Sequence, residues 1–319
     1  MIKLSVILLT YNQEATVGRA IESVLAQRTR YPFEIVVAED CSPDGTRTVC
    51  EEYERRYPGK VRLLPKVPNK GIVDNYFDAF EACQGEYVAD CAGDDEWVDT
   101  SRIERCVAKL DADRSLSVVF TDVEECCDGE CRLHSSDPLR RLWMRERISG
   151  QEMLVGVLNH TRALPYTLSA AIFRKSAVMG VYADNPAMVR IPECGVEDVP
   201  LMAAIAKGGD ASYIPIVGYR YNIDGESASN NLSHEKEYRF YARVLSCVRR
   251  LAGFYGIQPR KLRAHFNDKL SHIASQIRRS ENRRELLADF DARRGEWPLR
   301  LPLRAIAHRL LAFIYIHSK

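Results

Sequence analysis

Within the first 120 residues, short apolar runs rich in β-formers alternate with stretches whose apolar residues recur at helical spacing. This alternation predicts βα units wound around a largely parallel sheet. Leu4–Thr10 reads as the first strand, and Ala15, Val17, Ala20, Ile21, Val24 and Leu25 predict a helix over 14–27 that covers it. Glu34–Ala38, Val61–Leu64, Glu86–Cys91 and Leu116–Thr121 read as further strands, with helices over about 46–57, 72–83 and 101–112. In open sheets of this kind, ligands bind beyond the carboxyl ends of the strands.

Beyond residue 123 the pattern weakens into short polar runs with many arginines and one predicted helix near 149–158. Order returns with Leu168–Phe173 as a strand, a helix opening at Glu197-Asp198 and ended by Gly208-Gly209, and a last strand at Ser212–Tyr221. From 235 onward the chain reads as helical and Arg-rich, broken at Trp297–Pro302.

With 46% hydrophobic and 28% charged residues over 319 positions, the chain can bury a large core, which excludes disordered, collagen-like and small disulfide-scaffold classes. The net charge of +1 conceals an asymmetry. Residues 1–234 hold 26 basic and 36 acidic side chains, and residues 235–319 hold 19 basic and 8 acidic ones. Such a tail suits either an anionic surface, such as a membrane leaflet, or packing against the acidic body.

The apolar run at the N-terminus is too short for a secretory signal, and the apolar segment 305–316 is interrupted by His308 and Arg309. It is shorter than the roughly 20 residues that span a bilayer, so it reads as lying on a membrane or in the core. Ten scattered cysteines without an export signal are expected as reduced thiols in a cytosolic protein. Cys126, Cys127 and Cys131 cluster, but without the spacing of a zinc site.

Three carboxylate clusters fall at strand ends or at a helix start: Glu39-Asp40, Asp94-Asp95-Glu96 and Glu197-Asp198. A parallel sheet gathers such ends along one edge, where the like charges repel unless a cation or donated hydrogen bonds offset them. Hard oxygen donors favour Mg²⁺ or Mn²⁺, ions that commonly also grip a diphosphate. The chain lacks both G-x-G-x-x-G and G-x-x-x-x-G-K-[ST], so no glycine-rich phosphate cradle competes with that reading. Trp97 reads as a packing residue rather than a sugar platform.

The segments Ser5–Gln13, Glu39–Thr46, Asn69-Lys70-Gly71 and Gly93–Trp97 come in the order and spacing of the family 2 glycosyltransferases. The chain therefore resembles an inverting enzyme of the GT-A fold, an α/β domain with a mostly parallel, Rossmann-like sheet. The resemblance is strong over 1–125 and moderate over 165–230. It implies a GT-A domain at 1–230, with a nucleotide-sugar-binding half at 1–125 and an acceptor-side half at 126–230, followed by a basic helical extension at 231–319. It also implies that Thr10, Tyr11, Asn12, Asp40 and Asn69 bind the nucleotide, usually through uracil. Asp94 would contact both the nucleotide and a divalent cation, Mn²⁺ or Mg²⁺.

Where the family carries D-x-D, this chain reads Ala92-Gly93-Asp94-Asp95, so one acidic residue is replaced while Asp94 is kept. Glu197-Asp198 resembles the family's later E-D motif, in which the Asp is the general base. Asp95, Glu197 and Arg220 take supporting roles, Arg220 toward a phosphate oxygen. Tyr219-Arg220-Tyr221 and Gly225-Glu226-Ser227 resemble a segment that closes over the diphosphate, with Asn222 near where members often have His. The implied partners are a nucleotide-sugar donor and a saccharide or lipid-linked acceptor. The implied setting is cytoplasmic, with peripheral contact at the inner membrane face through the extension and no nucleic acid. The alternative is a non-catalytic nucleotide-sugar-binding or scaffolding relative, which Ala92 and Asn222 favour.

Overall fold

The computed structural model describes residues 1–159, 167–223, 233–293 and 303–317. Its first half follows the predicted alternation: β1 (Leu4–Thr10), α1 (Val17–Leu25), β2 (Phe33–Glu39), α2 (Thr46–Arg56), β3 (Val61–Leu63), α3 (Ile72–Ala82) and β4 (Tyr87–Ala92). β1 pairs in parallel with β2 and β4, and β2 with β3. The near-continuous apolar runs explain this placement. Val6, Ile7 and Leu8 of β1 and Ile35, Val36, Val37 and Ala38 of β2 are all fully buried, as expected of strands covered on both faces.

The middle of the chain contributes β5 (Glu96–Trp97), α4 (Arg102–Ala112), β6 (Leu116–Cys127), β7 (Glu130–Leu133), α5 (Pro138–Arg141), α6 (Gly150–Asn159), β8 (Ala171–Arg174), α7 (Lys175–Tyr182), α8 (Asp198–Gly208) and β9 (Asp210–Asn222). The strands form one sheet in the order β3-β2-β1-β4-β8-β6-β9-β5, with β7 added on β6. β8 runs antiparallel to both neighbours and β6 parallel to β9, so the second half of the sheet is mixed. Leu168–Phe173, read as one strand, begins instead as a 3-10 turn over Leu168–Ala170, and β8 starts at Ala171.

β6 extends to Cys127, well past the predicted end at Thr121, because its polar outer half is held on both sides by β9 and β7. A chain-local hydrophobicity pattern carries no record of such cross-strand pairing. The β6–β7 register sets Cys126 opposite Cys131, and the two form a disulfide. The expectation that all ten cysteines are thiols is corrected at this pair, which sequence spacing alone does not join. The argument from cysteines to a reducing compartment loses its force accordingly.

The C-terminal helices α9 (His234–Phe254), α10 (Arg263–Arg279), α11 (Arg283–Ala292) and α12 (Leu303–His317) stack on one another. Their buried Tyr238, Val248, Leu251, Leu270 and Ile277 join the same apolar cluster as the sheet, through contacts of α9 with α8. Part of the tail's positive charge is used internally, in Arg239–Glu285 at 2.6 Å and Arg309–Asp291 at 2.7 Å. Among the described residues no helix is long and apolar enough to cross a membrane. The break predicted at Trp297–Pro302 lies outside the described residues.

Candidate active site

The carboxyl ends of β1, β2 and β4 open into a cleft of about 800 Å³. Its wall includes Thr10, Tyr11, Asp40, Asn69, Asp94, Asp95, Glu197 and Asp198, so eight residues from separate motifs share one space. The strands place most of them: β1, β2 and β4 are in register, so the residues that follow each emerge along a common edge, while Asn69 comes from the loop before α3 and Glu197 and Asp198 from the start of α8.

At the β2 end, both carboxylate oxygens of Asp40 accept backbone hydrogen bonds, from Lys70 N and Gly71 N at 3.0 Å each. Asn69 returns its side-chain amide to the Asp40 carbonyl at 2.9 Å. Gly71 makes this possible with φ +83, a conformation that glycine adopts without penalty. Asp40 therefore shapes the 69–71 loop, and the second lone pair on each oxygen stays available to a ligand. At the β1 end the Thr10 hydroxyl is buried without a partner among the described residues. A Cβ on Gly93 would lie 2.6 Å from that hydroxyl and 2.4 Å from Gln13 Oε1, so only glycine lets this loop sit against β1.

Asn12 does not line the cleft. It takes φ +57, which Asn tolerates better than most residues, and donates its backbone N–H to Ser42 Oγ at 2.9 Å, so it shapes the turn after β1. Arg220 is also outside the lining. Side chains alternate along a strand, and Tyr219 and Tyr221 face the cleft. Arg220 points the other way, to Glu124 at 2.7 Å and Glu96 at 3.8 Å. Gly225-Glu226-Ser227 lies outside the described residues.

Asp94 and Asp95 differ in how they are held. Asp95 is held at both oxygens: Tyr219 donates its hydroxyl at 2.6 Å and Asn222 its backbone N–H at 2.8 Å, tying the β4–β5 loop to β9. The Asn222 side-chain amide donates to the Asp94 carbonyl at 2.8 Å, so this residue is a clasp between the two segments. Burial, then the neighbouring Asp94 charge, push Asp95 up to about 7. Burial also raises Asp94, opposed by a hydrogen bond from Gln13. Its carboxylate lines the cleft, where a hard oxygen donor can meet a divalent cation. Among the described residues no three cleft carboxylates approach closely enough to share one ion, and the one such donor group, Glu124 with Cys126 and Cys131, includes the disulfide. A cation at Asp94 would therefore draw its remaining ligands from substrate and water.

Asp198 opens α8, and its Oδ1 accepts the Val199 N–H at 2.7 Å. Beside it, burial and the Asp198 charge push Glu197 well above the usual carboxylate range. A carboxyl whose proton affinity is raised beside a second carboxyl is a common arrangement for acid–base work.

The packing behind the cleft is equally built. Trp97 is buried, donates its indole N–H to the Asp90 carbonyl at 3.1 Å, and has the Arg102 guanidinium 4.1 Å from its ring centre. Arg102, fully buried, donates to the carbonyls of Ser169 at 2.6 Å and Ala171 at 3.3 Å. Sequence reasoning passed over Asp90, which lines the cleft, accepts from Tyr76 at 3.1 Å and is pushed up by burial to about 7. Its position inside an apolar strand was the available signal.

An acid whose folded pKa lies above its unfolded value near 3.9 binds more protons when folded, so stability falls as pH rises between the two values. The full shift corresponds to at most about 4 kcal/mol. Asp95 and Glu197 contribute slopes of the same sign, and Asp90→Asn is expected to remove the Asp90 share, so unfolding free energy from urea titrations should fall more steeply between pH 4 and 7 for wild type than for the variant. Equal slopes would mean that Asp90 ionises normally.

The model described as Glycosyl transferase family 2 matches residues 5–178, more than half of the chain. The chain belongs to glycosyl transferase family 2. It is 34% identical over 143 residues to the uncharacterized protein Rv1520 of Mycobacterium tuberculosis, a match covering 45% of this chain and 41% of that protein. The chain thus spans less than half the length of that relative. Among solved structures, Staphylococcus aureus TarS 1-349 in complex with UDP-GlcNAc superposes with TM-score 0.60 at 17% identity, covering 100% of this chain and 93% of that one. The mannosyltransferase PcManGT from Pyrobaculum calidifontis, in complex with GDP-Man and Mn²⁺, superposes with TM-score 0.54 at 17% identity, covering 99% and 88%. At these identities the family 2 chain shares the GT-A fold of both.

Proposed function

We propose that this protein is a metal-dependent inverting glycosyltransferase that moves a sugar from a nucleotide-sugar, preferably a UDP-sugar, to a hydroxyl acceptor in bacterial polysaccharide or glycolipid assembly. The observation that carries this reading is the meeting of Thr10, Asp40, Asn69 and Asp94 with Asp198 in one cleft. Its volume suits a nucleotide-sugar.

In this reading Asp40, Asn69, Thr10 and Tyr11 hold the nucleoside. Asp94 would hold the divalent cation, which when bound would offset the charge of the departing diphosphate. Asp95 keeps the Asp94 loop in place through Tyr219 and Asn222. Inversion needs a single in-line displacement: the acceptor oxygen bonds to the anomeric carbon as the bond to the diphosphate breaks, and the hydroxyl proton passes to the Asp198 carboxylate. Glu197, holding its proton, adds no second negative charge to that spot.

The test is a thermal-shift panel of UDP, GDP, dTDP and CDP with and without Mn²⁺, since a ligand that binds the folded state raises the melting midpoint. A Mn²⁺-dependent shift with UDP is expected. Folded protein that responds to no nucleotide would exclude the donor site. Nucleotide binding without any turnover would favour the non-catalytic relative, the reading that Ala92 supports.

The extension is proposed to contact the inner face of the plasma membrane. Ile306, Leu310, Leu311 and Phe313 of α12 are exposed, on a tail with an excess of basic residues, and such helices lie in the interface of anionic bilayers. Co-sedimentation with phosphatidylglycerol vesicles but not with phosphatidylcholine vesicles is expected. Equal recovery with both would dismiss the contact.

A further inference from the structure

We propose that Arg140, set by Glu125 and His134, forms an acceptor subsite for an oxyanion, the phosphate or carboxylate of a negatively charged sugar. This rests on the glycosyltransferase reading of the same cleft. All three residues line the cleft and come from the stretch of sequence whose pattern was weakest. β6 supplies Glu125, the turn after β7 supplies His134, and the short helix α5 supplies Arg140. The β6–β7 pairing, closed by Cys126–Cys131, brings the two ends of this segment together.

The geometry is that of a held cation with one nitrogen left unpaired. His134 is 5% exposed and its Nε2 lies 2.7 Å from Glu125 Oε1. Arg140 donates Nη2–H to the same oxygen at 3.4 Å. The Ser135 N–H donates to Asp122 at 3.2 Å, and Asp137 caps α5 by accepting from Leu139 N at 2.8 Å, so the backbone on both sides of the group is pinned. Two polar atoms of the cluster remain buried without a partner among the described residues: Arg140 Nη1 and His134 Nδ1. An unpaired buried guanidinium nitrogen is costly, and an oxyanion is the ligand that satisfies it best.

The charge balance of the cleft localises such a subsite. Seven carboxyl groups line it (Asp40, Asp90, Asp94, Asp95, Glu125, Glu197 and Asp198), and Arg140 is the sole Lys or Arg among the described lining residues. In so acidic a cleft an oxyanion can be held only beside Arg140. Position in the sheet separates the cluster from the donor. β6 lies two strands from β4 and four from β2, or about 10 Å from the strand leading to Asp94 and about 19 Å from that of Asp40. The cluster therefore hangs from a strand on the opposite side of β4 from the strand leading to Asp40.

The experiment titrates the full chain, saturated with UDP and Mn²⁺, with glucose 6-phosphate, glucuronate, glucose and inorganic phosphate. At least tenfold tighter binding of the charged sugars than of glucose is expected, lost in Arg140→Gln and partly kept in Arg140→Lys. The stronger of glucose 6-phosphate and glucuronate identifies the oxyanion as phosphate or carboxylate. Inorganic phosphate binding as well as the sugar phosphate would locate the recognition in the oxyanion alone. The proposal is overturned if glucose binds equally, if no probe binds, or if the preference survives in Arg140→Gln. Melting curves check that each variant is folded, and if Arg140→Gln is not, unchanged preference in Arg140→Lys overturns it instead. Failure of the donor reading appears separately, as no nucleotide-induced shift, and the same titrations then decide the subsite on the free protein.

Discussion

Asp198→Asn is expected to lower sugar transfer by about 10³-fold, within the range for loss of a general base, while the Mn²⁺-dependent thermal shift with UDP is retained. The amide keeps the shape of the side chain and its hydrogen bond from Val199 but takes no proton. Glu197 is poorly placed to substitute, because burial and the adjacent carboxylate keep it protonated beyond the usual range. Any residual rate in the variant should rise with pH as Glu197 ionises. Release of UDP from UDP-sugars in the presence of acceptor is the measurement. Undiminished turnover would remove Asp198 from the reaction and move the search for the base to another cleft carboxylate.

Asp94→Ala should abolish the Mn²⁺-dependent shift with UDP, an effect on the order of 5 °C when the nucleotide is near 100 times its dissociation constant. EDTA added to wild type should do the same. The free variant is expected to melt no lower than wild type. Burial raises the Asp94 pKa, so its charged form is disfavoured in the fold, and removing a desolvated carboxylate relieves that strain. The two results together separate a ligand role from a structural one. A variant that binds UDP normally with Mn²⁺ would show that the cation, if used, sits elsewhere. A variant that melts well below wild type would mean that Asp94 holds the loop.

Several features of the site were legible because they are properties of short segments. Asp40 and Asp94 follow buried strands, and the apolar runs of β1, β2 and β4 announce those strands wherever the chain later packs. The glycine at 93 and the acidic pair at 197–198 opening a helix belong to the same class. Asp90 was missed for a related reason: inside an apolar strand it reads as one polar interruption, and only burial against Tyr76 and Arg102 makes it distinctive. Arg220 illustrates the opposite error. Its motif suggested a phosphate contact, but strand alternation set it on the face of Glu124 and Glu96.

The sequence by itself determined the α/β class, the order of the first four strands with their helices, and the edge along which the donor-side residues gather. These follow from local periodicity and from the crossover length that parallel strands require. Tertiary structure decided what depends on pairing across long separations. β8 enters antiparallel between β4 and β6, β6 runs on to Cys127, Cys126 meets Cys131, Asn222 clasps the loop carrying Asp94 and Asp95, and Glu125, His134 and Arg140 meet in the cleft. No window of the chain contains both partners of such contacts, and their energies come from burial and hydrogen bonding that exist only once the sheet has closed.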